Sequence, residues 1–100
     1  ADVAIGPFAY VGPHAVIGDG CVLAPHAGVH RGAILGPGVR VDSFAVVGGD
    51  PQMIGFDPAI ESGVAIGAGT YLREHVTVHR STKLGERTIV GEHCYLMANS

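Results

Sequence analysis

The sequence predicts an all-β solenoid, a parallel β-helix of about five coils, on three observations. Residues 5–52 divide into eight blocks of six, each opening on an aliphatic residue. A small residue stands two places before the next aliphatic in nearly every block, which is the side-chain alternation of a β-strand. Glycine often follows the aliphatic, where the chain can turn a corner. Three strands and three corners would close a triangular coil of about 18 residues, stacked at the ~4.8 Å spacing of parallel strands.

The phase of the repeat slips once, after Val47. Residues 48–58 hold three glycines, two prolines and two aspartates, and we interpret them as an external loop that leaves one corner of the coil. Loops carried by a rigid scaffold are a usual place for binding chemistry. The blocks resume at Ile60, where we expect strand again, and continue in phase to Leu96, with residues 81–85 remaining in phase. No stretch has apolar residues at helical spacing.

Residues 1–100 are predicted to form a single partial β-helix domain. Both ends fall within a repeat, which is typical of a fragment of a longer protein. The net charge of -3 and the single lysine argue against a nucleic-acid partner, and there is no apolar run long enough for a membrane span. Cys21 and Cys94 occupy the small, inward position, so we expect buried free thiols in a reducing, cytoplasmic compartment.

Residues 72–82, LREHVTVHRST, are richer in polar groups than any earlier block. Arg73 and His79 occupy the position that is usually glycine. A large side chain there breaks the regularity of the repeat, which indicates either a functional use or a position that tolerates many residues, as His30 and Asp42 show.

Two stretches carry a resemblance to a known family. IGPFAYVGPHAVIGDGCVL followed by FAVVGGDPQ, and then LREHVTVHRST followed by VGEHCYLMA, resemble the UDP-N-acetylglucosamine acyltransferases, which are hexapeptide-repeat proteins. The resemblance implies a left-handed β-helix, a homotrimer with active sites between subunits, and a place in lipid A biosynthesis. It implies transfer of an acyl group from acyl carrier protein to the 3-hydroxyl of the UDP-sugar, without a cofactor. A histidine oriented by an acidic residue acts as general base in this family.

The same resemblance assigns the candidate site residues. Gln52 and His79 match substrate-binding positions of the family, while Arg73, Glu74 and Arg80 match in type and order and are assigned supporting roles. The family's catalytic histidine follows the LMA motif and is expected beyond Ser100, so this 100-residue chain alone is predicted to be inactive. Met53, Ile54 and Gly55 stand where the family has an acidic residue and a lysine, and the family's glycine-rich excursion after its HRGT motif is expected to be missing.

Three alternatives remain open from the sequence. One is a different sugar acyltransferase with the same repeat. Another is a zinc-dependent carbonic-anhydrase-like β-helix, because His75 and His93 lie three blocks apart and would stack one coil above the other. The histidine spacing HVTVH does not match that family, so we expect no metal site. The last is a non-catalytic trimeric β-helix module.

Overall fold

The computed structural model describes residues 3–100 as short β-strands joined by turns and loops, with no helix among these residues. Because each block of six residues must also turn a corner, most of the strands contain two residues. The thirteen strands are β1 (Ala4–Ile5), β2 (Tyr10–Val11), β3 (Val16–Ile17), β4 (Val22–Leu23), β5 (Gly28–Val29), β6 (Ile34–Leu35), β7 (Arg40–Val41), β8 (Val46–Gly49), β9 (Gly63–Ile66), β10 (Tyr71–Leu72), β11 (Thr77–His79), β12 (Arg87–Val90) and β13 (Tyr95–Leu96).

The strands form the three faces of a left-handed parallel β-helix, as predicted. The first sheet has the order β1-β4-β7-β10-β13, the second β11-β8-β5-β2 and the third β12-β9-β6-β3. Val22 pairs with Ala4 and Arg40 with Val22, so a regular coil contains three blocks of the repeat. We call the turn between the first and second sheets the first corner. The turn between the second and third sheets is the second corner, and the return to the first sheet is the third corner.

The aliphatic and small residues of the repeat fill the axis of the helix, which confirms their predicted inward phase. The buried side chains are Cys21, Leu23, Ala27, Val29, Ala33, Leu35, Val39, Val41, Ala45, Val47, Val64, Ile66, Leu72, Val76 and Val78. Both cysteines are free. Cys94 was predicted to be buried but is half-buried among the described residues.

The position after the aliphatic is glycine where the backbones of neighbouring coils approach each other closely. At the third corner it is glycine in all four described coils, namely at Gly18, Gly36, Gly67 and Gly91. A Cβ on Gly67 would lie 2.6 Å from the backbone nitrogen of Glu92, and one on Gly18 would lie 2.7 Å from that of Pro37. The stacked backbones therefore exclude a side chain at these two positions. They do the same at Gly6 of the first corner, where a Cβ would lie 2.7 Å from the backbone nitrogen of Pro25, although later coils of that corner hold Asp42 and Arg73 at this position.

An aromatic ladder runs along the first corner. It consists of Phe8, His26, Phe44 and His75, one from each successive coil, with ring centroids 5.0 to 5.4 Å apart and planes inclined by 6 to 9°. All four residues have φ between 61 and 66°, a left-handed conformation that costs free energy in residues other than glycine. The stacking offsets part of that cost, since offset-stacked rings attract each other.

Two excursions interrupt the coils, and both leave the second corner. The long loop (residues 50–62) separates β8 from β9, and the short loop (residues 80–86) separates β11 from β12. The long loop begins two residues later and ends four residues later than the loop predicted at 48–58, because Gly48 and Gly49 continue β8 and the next strand begins at Gly63 rather than at Ile60.

The short loop was not predicted. Tyr95 pairs with Tyr71, so this coil contains four blocks of the repeat instead of three. The expectation that residues 81–85 continue the stacked repeat is therefore wrong. One whole block leaves the coil, and Leu84, at the inward phase of the repeat, is 73% exposed.

Candidate functional site

The two loops pack on each other at the second corner. The Ser62 hydroxyl donates a hydrogen bond to the Ser81 carbonyl at 2.6 Å, and the Gly85 amide donates to the Glu61 carbonyl at 2.8 Å. The loops thus form one irregular layer beside an otherwise regular β-helix. This is the place on the described chain where side chains are released from the repeat pattern and are available for binding.

Arg80, directly after β11, organises this layer. Its Nε donates to Asp50 Oδ1 at 3.0 Å, and its Nη2 donates to the Pro58 carbonyl at 2.8 Å. Its Nη1 donates to the Ile60 carbonyl and to Ser62 Oγ. The Arg80 guanidinium also lies over the ring of Phe56, 4.9 Å from the centroid. The residue predicted to have a supporting role is therefore bonded along the length of the long loop.

Gln52 and His79, the predicted substrate-binding residues, both lie at the second corner. Gln52 is exposed on the long loop, and His79 is the half-buried last residue of β11. His79 pairs with Gly49 of β8 after a shift in the ladder register, and its Cδ2 lies 3.8 Å from where a Cβ on Gly49 would be. There is no side-chain hydrogen bond between Gln52 and His79, so the structure brings them to one corner without joining them directly.

Arg73 and Glu74 lie elsewhere, at the first corner. Arg73 Nε donates to Glu74 Oε1 at 2.8 Å and Nη1 donates to the Tyr95 hydroxyl at 2.6 Å. Asp42 lies 3.5 Å from the same Nε and accepts a hydrogen bond from the Tyr71 hydroxyl. The two predicted supporting residues thus belong to a polar network on the first sheet and its edge, and their side chains form no hydrogen bond with Gln52 or His79.

This network sets the charges of both residues. The Glu74 carboxylate accepts hydrogen bonds from its own backbone amide and then from Arg73, which together hold the pKa of Glu74 below its ordinary value of 4.5. The Glu74 and Tyr95 hydrogen bonds raise the already high pKa of Arg73. Both groups are therefore charged at neutral pH and form an ion pair, which makes neither of them a candidate proton carrier.

A groove of about 710 Å³ runs beneath the two loops, towards the earlier coils. Its polar walls combine loop residues with second-corner residues that sequence reasoning missed, namely His14, His30 and Arg31, and it also includes Arg87 at the start of β12. The phase of the repeat could have indicated these residues, because residues 13–14 and 31–32 lie at the second corner in the two coils that precede the long loop. Gln52 and His79 are not among the lining residues of this groove.

The predicted stacking of His75 and His93 is wrong. The short loop adds a block to the coil between them, so the three-block spacing no longer corresponds to one turn. His75 stacks on Phe44 at the first corner, while His93 lies at the third corner, against Gly69. Within residues 3–100, no three histidine, cysteine, aspartate or glutamate side chains come together as a metal-binding group.

No helix that could cross a membrane is present in residues 3–100.

Comparison with known proteins agrees with the fold and the motifs. The family "Bacterial transferase hexapeptide (six repeats)" matches residues 1–31. The acyl-[acyl-carrier-protein]–UDP-N-acetylglucosamine O-acyltransferase of Bartonella bacilliformis is 39% identical over 94 residues, which are 93% of this chain and 34% of the relative. The corresponding protein of Campylobacter lari is 34% identical over 100 residues, 99% of this chain and 38% of the relative.

Solved structures give the same result. The UDP-N-acetylglucosamine acyltransferase of Bacteroides fragilis superimposes with a TM-score of 0.90 at 38% identity, over 96% of this chain and 37% of that protein. The Acinetobacter baumannii structure gives a TM-score of 0.91 at 33% identity, over 99% and 38%. The chain spans about a third of the length of the curated relatives that it matches. It belongs to the hexapeptide-repeat acyltransferases, and the resemblance to the UDP-N-acetylglucosamine O-acyltransferases that its motifs predicted is confirmed.

Proposed function

We propose that this chain is part of an acyltransferase of lipid A biosynthesis that moves an acyl chain from acyl carrier protein to the 3-hydroxyl of UDP-N-acetylglucosamine. The observation that carries the proposal is the match in sequence and fold to named UDP-N-acetylglucosamine O-acyltransferases over nearly the whole chain. The two loops at the second corner support it, because Gln52 and His79 lie at the same irregular edge of the β-helix.

The proposed chemistry needs a base. The sugar hydroxyl loses its proton as its oxygen attacks the thioester carbonyl, an ester forms, and the thiol of the carrier protein leaves. None of the histidines in residues 3–100 makes a side-chain hydrogen bond to a carboxylate, the arrangement that orients an imidazole for this task. We therefore place the general base outside these 100 residues. Gln52 and His79 are assigned to sugar-nucleotide binding, with no cofactor.

The assembly proposed for the protein is a homotrimer in the cytoplasm, formed by one partial β-helix domain from each copy, with no nucleic-acid partner. An exposed apolar side chain in a coil with neighbours on both sides supports self-association, since Phe44 is 51% exposed at the first corner. Light scattering coupled to gel filtration tests this, and a monomer at micromolar concentration argues against it.

The activity is tested with acyl-carrier-protein thioesters of defined chain length and UDP-N-acetylglucosamine, by following thiol release and the mass of the product. The protein that contains this chain together with the remaining length of its relatives is expected to turn over, and the 100-residue chain alone is expected to be inactive. Turnover by the chain alone would place the base within it. No acyl transfer by the longer protein would overturn the proposal.

A second candidate differs only in the acceptor. Met53 and Ile54 stand where the family has an acidic residue and a lysine, and Ile54 is fully exposed on the long loop. An apolar pair in this place favours a UDP-sugar with fewer polar substituents on the sugar ring, because no charge is available there to hold a hydroxyl group. A panel of UDP-hexosamines in the same assay separates the two candidates.

A further inference from the structure

We infer that Arg80 is a positioning residue, whose guanidinium holds the long loop against β11 and thereby fixes the substrate-binding Gln52 relative to His79. The nature of the ligand rests on the function proposed above. The claim that Arg80 holds the long loop against β11 rests on the geometry of Arg80 alone.

The contacts of Arg80 reach both ends and the middle of the long loop. At its beginning, Nε binds Asp50, and at its end, Nη1 binds Ile60 and Ser62. In between, the planar guanidinium covers the ring of Phe56. With the bond from Nη2 to the Pro58 carbonyl, four hydrogen bonds and one stacking contact converge on a single side chain that is only 11% exposed.

The long loop has little structure of its own. Its internal hydrogen bonds are short-range, from the Met53 amide to the Pro51 carbonyl, from Phe56 to Met53 and from Ile60 to Asp57. Met53 and Ile54 are exposed and Phe56 and Ile60 are only half-buried, so burial contributes little to ordering the loop. Ordering a free residue costs backbone entropy, and a set of long-range contacts is needed to offset that cost.

The position of Gln52 follows from the first of these contacts. Arg80 fixes the side chain of Asp50, and Pro51, which comes next, has a restricted φ. Gln52 therefore lies two residues after Asp50, whose side chain is held by Arg80, and the residue between them is the conformationally restricted Pro51. Because Arg80 directly follows His79 and its amide donates to the Gly49 carbonyl at 2.9 Å, the same residue links the loop to the strand that carries the histidine.

Lysine cannot replace arginine in this role. The bonds of Arg80 leave from three nitrogens in one plane, towards acceptors on separate parts of the loop, and the flat face covers an aromatic ring. An ammonium group has one nitrogen and no flat face. Arg80→Lys keeps the charge and loses most of the contacts, so it separates positioning from simple electrostatics.

The first test measures hydrogen exchange by NMR or mass spectrometry in the wild type, Arg80→Lys and Arg80→Met. We expect the amides of Met53, Phe56 and Ile60 to exchange at least tenfold faster in both variants, with strand amides of β5 and β6 unchanged. Arg40→Lys is the matched control, because Arg40 lies on the first sheet, over Tyr71. Equal loop exchange in the wild type and Arg80→Met overturns the inference, whether or not the protein is an acyltransferase.

The second test uses steady-state kinetics of the longer, active protein. A loosened loop raises KM for the UDP-sugar about tenfold or more in Arg80→Lys, while KM for the acyl carrier protein stays within about twofold. A merely structural defect would instead lower the active fraction and leave both KM values unchanged, which would contradict a positioning role. If the wild type shows no acyl transfer, the proposed function fails, and the exchange experiment still decides whether Arg80 holds the loop.

Discussion

The ring of His26 stacks on the ring of Phe44, with centroids 5.0 Å apart and planes inclined by 6°. Phe8 and His75 extend the stack on either side, although neighbouring members of the stack are three or more blocks apart in sequence. The ladder joins consecutive coils outside the aliphatic axis, at a corner where every member has a positive φ. Coil-to-coil contacts of this kind fix the register of a parallel β-helix in addition to the backbone ladder.

Substitutions at the centre and at the end of the aromatic ladder are expected to lower the free energy of unfolding by different amounts. Phe44→Ala removes a ring that stacks on two neighbours, and we expect it to lower the free energy of unfolding by about 1–2 kcal/mol. Phe8→Ala removes the more exposed end ring, which stacks on His26 in the described residues, and should cost less than half as much. Phe44→Gly should be more stable than Phe44→Ala, since glycine accepts the positive φ. Urea unfolding followed by circular dichroism measures all three, and equal losses for Phe8→Ala and Phe44→Ala would contradict the role of the ladder.

The axis and the three-sided coil could be predicted from the sequence because each block places two side chains inward. Burial of those side chains is the largest favourable contribution to the free energy of folding. The corners could not be predicted in the same way. Gly6 and Asp42 occupy the same position of the repeat at the same corner, yet a Cβ on Gly6 would lie 2.7 Å from the backbone nitrogen of Pro25. That approach depends on how coils stack, which no single block contains.

The loops show the same limit. The long loop was predicted because it shifts the phase, and its bounds were misplaced because Gly48 and Gly49 can extend a strand as well as end one. The short loop was missed because it removes a whole block and leaves the phase of Leu84 intact. For the site, the motif named Gln52, His79 and Arg80 together with Arg73 and Glu74, and it did not separate them. The structure places the first three at the second corner and the last two, only a few residues before His79, at the first corner.

The buried hydroxyl of Thr70 leads to a second prediction. Its Oγ1 donates to the Gly91 carbonyl at 2.7 Å and accepts a hydrogen bond from the Cys94 amide at 3.2 Å, across adjacent coils. Thr70→Val keeps the shape and leaves both backbone groups without this partner, so a loss of about 1–3 kcal/mol is expected.

Thr70→Ser is the matched control, because it keeps the hydroxyl and loses a methyl group. Thermal and urea unfolding should place Thr70→Ser between the wild type and Thr70→Val. A Thr70→Val variant as stable as the wild type would show that the inter-coil hydrogen bonds contribute nothing net.

The Arg73–Glu74 pair predicts a pH dependence of stability. The pKa of Glu74 is lowered in the folded protein below its ordinary value of 4.5. A group with a lowered folded pKa contributes stability that is present above the unfolded pKa and is lost as the pH falls through the folded pKa. The stability difference between the wild type and Glu74→Gln should therefore be constant near neutral pH and should shrink below about pH 4.5.

Urea midpoints measured between pH 3 and 7 provide the test. Glu86→Gln, which removes a carboxylate on the short loop, serves as the control for the loss of one negative charge. Because Glu74 is a surface group, added salt should reduce the difference at neutral pH. A difference that grows as the pH falls would show that the ion pair destabilises the fold.

The last prediction concerns the four-block coil. If residues 81–86 form a block that has left the stack, their deletion restores a coil of three blocks and keeps β11 and β12 in register with β8 and β9. The deleted protein should fold, with strand content unchanged by circular dichroism and cooperative unfolding. Some stability should be lost, because the bonds of Ser81 and Gly85 to the long loop disappear. Removal of one block from the stacked part, residues 28–33, is the matched control and should prevent folding, since it leaves a coil with two sides. A deletion of 81–86 that unfolds the protein to the same extent would show that the short loop is part of the β-helix itself.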